Sequence, residues 1–137
     1  MAMRATATAL LCSLVPVAAT FAQAEERAAL VILAGADTIV SDRFVRSREG
    51  LEGVVSVRSQ PRIEYAATLA GDTVRTLTLA MFPAGAPADA APVQRIRVTM
   101  RADTAVVETS SGTHRIPTRA GAIPMFNNAL ALSEQFT

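Results

Sequence analysis

The chain is poor in the side chains on which most protein chemistry depends. Its 137 residues include one cysteine (Cys12), one histidine (His114), one tyrosine (Tyr65), no tryptophan and no lysine, so that all 13 basic residues are arginine. A structural zinc site draws on several Cys or His ligands and a disulfide needs a pair of cysteines, so the chain alone can build neither. Haem and iron–sulfur centres meet the same shortage of ligands. No metal and no cofactor is therefore expected. A serine nucleophile requires a base, a group that orients the base, and oxyanion donors. Ser110-Ser111-Gly112-Thr113-His114 brings hydroxyls near the sole histidine, but these serines occupy a tight turn and no Gly-x-Ser-x-Gly elbow is present. A hydrolase using His114 is thus the weakest of the functional readings. Acid–base pairs such as Glu49 with Glu52, or Glu64 with Glu108, sit at turns or beside arginines, and a sugar site built without tryptophan lacks its usual aromatic platform. The glycine-rich loops that cradle phosphates are also missing.

Near the amino terminus there is a recognisable address. Arg4 precedes an apolar run, Ala9–Phe21, broken by Ser13, Pro16 and Thr20, and Ala22-Gln23-Ala24 leads directly into Glu25-Glu26-Arg27. That order reads as a secretory signal peptide, residues 1–24, cleaved after Ala24 with Ala22 and Ala24 at the positions the peptidase reads. The run is shorter than the roughly 20 apolar residues that span a bilayer, so the membrane is met only through the export signal. Cys12 follows Leu11, where a lipid-modified cysteine wants a small residue. The expected location is periplasmic or extracellular. Without Arg4, twelve arginines face twelve acids. A neutral chain is not a nucleic-acid binder, even though Arg95, Arg97 and Arg101 cluster on one run.

Residues 25–137 read as a single mainly β domain. Arg62–Leu69, Val74–Phe82 and Gln94–Arg101 alternate apolar and polar side chains, the signature of half-buried strands. Leu51–Ser59 is a valine-rich fourth run; Arg27–Leu33, Thr38–Ser47, Thr104–Thr109 and Thr113–Ile116 complete the set. Ala36-Asp37-Thr38, Gly71-Asp72-Thr73, Ala102-Asp103-Thr104 and Ser111-Gly112-Thr113 supply turn chemistry between them. Residues 83–92, rich in Pro, Ala and Gly, form a long flexible hairpin loop. Beyond Ile123-Pro124, apolar residues from Met125 to Phe136 recur at helical spacing and predict one amphipathic helix. A helix that stops on a bare Phe136-Thr137 is the ending expected of a piece cut from a longer chain.

These elements predict an antiparallel meander, curved into a sheet or half-barrel, with the carboxyl-terminal helix packed on its apolar face. Tyr65, Leu77, Leu79, Met81, Ile96, Val98 and Met100 line that face. They form either an ordinary core or the wall of a pocket for an apolar ligand. The signal, the meander with Asp-Thr turns and the Ala-Gly-Ala-Ile-Pro step into a helix resemble a group of uncharacterised exported bacterial β-rich proteins, whose shape is similar to the half-barrel of periplasmic lipoprotein carriers. The resemblance, over Leu30–Phe136, implies handling of an apolar small molecule or a lipoprotein between sheet and helix. The residues themselves point to a non-enzymatic binding or accessory domain. The alternative is a structural or interaction module of an envelope assembly, with an envelope protein as partner.

Overall fold

The computed structural model describes residues 25–71, 73–126 and 128–134. The expected signal peptide with Cys12, Ala22 and Ala24 lies outside them, as do Asp72 and the last three residues of the chain. Among the described residues, eight strands follow one another: β1 (Glu26–Ala34), β2 (Asp37–Arg46), β3 (Gly50–Val57), β4 (Arg62–Ala70), β5 (Thr73–Phe82), β6 (Gln94–Met100), β7 (Thr104–Thr109) and β8 (Gly112–Pro117). Each pairs antiparallel with the next, giving one open sheet in the order β1 to β8, with β1 and β8 at its edges. Every run picked out by alternation is a strand, because strict period-two patterning fits only a pleated segment with two different faces.

Thr104 opens β7 after Ala102 and Asp103 as the Asp-Thr pattern predicts, whereas the turn between β1 and β2 departs from it. β1 and β2 are joined by Gly35 and Ala36, with Gly35 at φ +63°, and Asp37 and Thr38 already belong to β2. Glycine takes this left-handed conformation without a Cβ penalty. Between β2 and β3, the Ser47 hydroxyl accepts from the backbone N–H of Glu49 and Gly50 at 3.3 and 3.1 Å. The loop from Pro83 folds as two successive turns, closed by Ala86 N–H to Pro83 O and Ala90 N–H to Pro87 O, each 3.1 Å. Val93 N–H then bonds to Met81 O at 2.9 Å and returns the chain to the sheet.

Side chains two residues apart along a strand share a face, and the pairing register extends each face across the sheet. One face carries Val40, Phe44, Leu51, Val55, Tyr65, Leu77 and Leu79, all buried. The chain after β8 crosses back over this face, where Ala129, Ala131 and Leu132 are buried and Ile123, Phe126 and Leu130 pack partly against it. Among the described residues the helix in this segment, α1 (Leu130–Glu134), covers five residues and starts at Leu130 instead of the expected Met125; the expected end at Phe136 lies outside the described residues. Asn128 takes φ +65°, a left-handed geometry that a right-handed helix cannot pass through. The apolar spacing upstream of it therefore serves an irregular segment instead of a helical stripe.

Leu77, 1 % exposed at the centre of β5, tests where the core lies. Leu77→Ala is expected to lower the unfolding free energy by about 2–5 kcal/mol, the usual cost of a lost buried side chain and its residual cavity. Urea denaturation followed by circular dichroism measures it.

Candidate functional site

The two faces of the sheet have different chemistry. On the covered face, Asp42 stands in phase with Val40 and Phe44 and is fully buried. Both of its oxygens are engaged. Oδ1 accepts from the Tyr65 hydroxyl and Oδ2 from the Ala131 N–H, each at 2.9 Å. A helix leaves its first backbone N–H groups without partners, and a carboxylate there satisfies them and favours the positive end of the helix dipole. Asp42 thus anchors α1 from a strand 89 residues earlier in the chain. Arg46 adds a second tie, donating from Nη2 to the Ala131 carbonyl at 3.3 Å while Nη1 pairs with Glu26, also at 3.3 Å.

Tyr65 reaches Asp42 across an intervening strand because its neighbour there, Gly53, has no side chain. Its ring meets Phe126 edge-on, with centroids 5.5 Å apart, a favoured aromatic arrangement. Burial pushes the Asp42 carboxyl above its usual range, against the opposing hydrogen bonds from Ala131, Tyr65 and Leu130. Burial also pushes the Tyr65 hydroxyl up, as does the neighbouring Asp42 charge. An acid closed off from solvent, with both oxygens taken by the protein, is built to hold the carboxyl-terminal segment rather than to transfer protons to a substrate.

The opposite face is open. It carries a trough of about 740 Å³ bordered by residues from β1 through β6. Its floor is made of small residues, among them Ala29, Val54, Ala66, Thr78 and Ala80, and its charges are Arg27, Arg43, Arg95, Glu52 and Glu64. Within the trough the floor is shallow because the strands place Ala, Val or Thr at the outward positions that are not charged. At the strand ends, Phe82 shares this face and is shielded by Arg62, whose guanidinium carbon lies 4.4 Å from the ring centroid. Arg62 also pairs with Glu64 at 3.3 Å, and Thr68 and Thr76 hydroxyls meet across β4 and β5 at 2.7 Å.

Comparison with protein-family models, curated proteins and solved structures gives no match.

The seven residues expected to line a ligand pocket do share one face, the covered one. Tyr65, Leu77 and Leu79 are buried beneath the carboxyl-terminal segment, while Met81, Ile96, Val98 and Met100 are half-buried towards β6. Of the seven, Tyr65 alone borders the trough, which lies on the other side of the sheet. Where the segment crosses, the space between sheet and helix is filled by Ala129, Ala131 and Leu132. His114 is exposed on β8 opposite Val107, and the Ser111 hydroxyl is bound to that of Thr109 at 2.9 Å. Arg95 and Arg97 project from the open face of β6, and Arg97 stands directly opposite Glu108. Among the described residues, no three of His, Cys, Asp and Glu gather as a metal site, and no helix is long and apolar enough to cross a membrane.

Proposed function

We propose that the protein is an exported, non-enzymatic binding domain and that its working surface is the trough on the open face of the sheet. The observation that carries this reading is the contrast between the two faces. One is closed by the protein's own carboxyl-terminal segment, while the other keeps about 740 Å³ of accessible space lined by small and charged side chains. Sites for apolar small molecules enclose most of the ligand, whereas this surface runs across six strands with charges of both signs. Its breadth and mixed charge favour a protein surface as partner over a fatty acyl chain. His114 is not among the residues that line the trough.

A photoreactive benzophenone side chain at position 66, in the trough floor, is expected to give discrete protein adducts when the exported protein is irradiated in its own compartment. The same group at position 89, in the exposed β5–β6 loop, is expected to give none. Indistinguishable adduct patterns at the two positions would remove the trough as the working surface. Saturable binding of a fluorescent fatty acid, blocked by Ala66→Trp, would replace the protein partner with a lipid.

A further inference from the structure

The pairing register arranges the open face of the first four strands as a checkerboard. One rung across the strands reads Ala29, Arg43, Val54, Glu64, and the next reads Arg27, Val45, Glu52, Ala66. Charged and small apolar residues alternate in both directions. Both positive charges lie on β1 and β2, and both negative ones on β3 and β4.

A patch with these two properties is complementary to itself. In a two-fold dimer the same patch serves both copies. Consider a two-fold axis parallel to the strands and running between β2 and β3. It brings β1 of one copy over β4 of the other and β2 over β3. Arg27 of one copy then lands on Ala66 of the other, beside Glu52 and Glu64. Arg43 lands on Val54, between the same two acids. Glu52 and Glu64 land on Val45 and Ala29, beside Arg27 and Arg43. Each long charged side chain meets a small residue with opposite charges around it, and the trough floor provides the room that these side chains need. Stacked sheets pack about 10 Å apart, a separation that extended Arg and Glu side chains bridge.

From this register the geometry points to a second copy of the chain as the partner that occupies the trough, through face-to-face packing of the two open sheets. The inference rests on the trough being the binding surface and names its occupant. Exposed apolar residues at the margin of the patch agree with it, since Val31 and Leu33 on β1 are 53 % and 56 % exposed. Neither Arg43 nor Glu52 has an ion pair among the described residues. The existing pair of Arg27 with Glu25 is largely exposed and that of Glu64 with Arg62 is partly covered; exposed pairs contribute little to stability, so exchanging the first for an intermolecular one is easy.

Sedimentation velocity over a concentration series provides the test. The purified protein is expected to form a dimer whose dissociation constant rises with added salt. Arg27→Glu with Arg43→Glu should weaken association at least 100-fold, as should Glu52→Arg with Glu64→Arg. Combining all four changes should restore the dimer, and mixing the two double variants should give a heterodimer. All four positions point to solvent, and circular dichroism checks that each variant keeps its strands. The wild-type salt dependence stands as a separate readout should a variant fail to fold. A wild-type protein that remains monomeric at the highest concentration overturns the proposal, and so does a dimer indifferent to the charge swaps. In either case, adducts of another mass from position 66 would leave the trough as a binding surface for a different partner, whereas loss of those adducts would remove both.

Discussion

Asp42→Ala is expected to lower the unfolding free energy by about 3–4 kcal/mol, while Asp42→Asn costs about 1 kcal/mol or less. Alanine leaves the Tyr65 hydroxyl and the Ala131 N–H buried without an acceptor, and each such orphan costs about 1–3 kcal/mol. It also opens a small void beneath α1. Asparagine keeps an oxygen for the Ala131 N–H and an amide that can pair with the tyrosine oxygen, and it removes the need to bury a charge. Urea titrations at neutral pH measure both differences. If Asp42→Ala cost less than about 1 kcal/mol, the buried carboxylate would not be what holds the carboxyl-terminal segment.

The same carboxyl fixes the sign of a pH effect. Desolvation outweighs the hydrogen bonds to Asp42, so its pKa in the folded chain lies above the ordinary value of 3.8. The folded state then binds this proton more tightly than the unfolded state does. The proton-linked part of the Asp42 contribution, separate from its hydrogen bonds, is fully present below pH 3.8 and is lost as pH rises through the folded pKa. Other carboxylates titrate in the same range, so the informative quantity is the stability of the wild type minus that of Asp42→Asn. This difference should grow in favour of the wild type as pH falls towards 4. The opposite slope would mean that the hydrogen bonds outweigh desolvation.

The strands were legible in the sequence because alternation over eight or so residues leaves little else to form, and β4, β5 and β6 alternate almost without exception. The helix was less legible. Periodicity counts apolar spacing from Met125 onwards but does not detect that Asn128 turns left-handed, so the helix was expected to start at Met125 and starts at Leu130. Asp42 left a signal that alternation alone did not weigh, since it sits in phase with Val40 and Phe44, and an acid on the apolar side of a strand needs a buried partner. That partner is a backbone N–H near the far end of the chain, and residue type says nothing of where a backbone donor lies. The trough was hidden for a different reason. Each strand shows only two or three of its positions, and the checkerboard exists only once the hairpin registers align Arg43 with Val54 and Val54 with Glu64. The apolar set around Leu77 was correctly placed on one face, but that face is the one the chain covers for itself.

Gly53→Ala, a single added methyl on a strand, is expected to destabilise the protein by about 3 kcal/mol, more than most substitutions of its size. A Cβ at this position would lie 2.5 Å from the Tyr65 hydroxyl oxygen and 2.7 Å from the Arg43 carbonyl. The carbonyl belongs to the neighbouring strand and cannot retreat without breaking the ladder, so the tyrosine must move. When it moves, it gives up its bond to Asp42 and its contact with Phe126, and the acid beneath α1 loses its side-chain donor. The cost is therefore coupled to Tyr65, and a double-mutant cycle exposes the coupling. With Tyr65→Ala already in place, Gly53→Ala should cost only about 1 kcal/mol, the remainder coming from the Arg43 carbonyl. Equal costs in the two backgrounds would mean that strand geometry alone requires glycine. A large coupling would show that Gly53 is there so that a tyrosine on β4 can reach an aspartate on β2 and secure the carboxyl-terminal segment over the sheet.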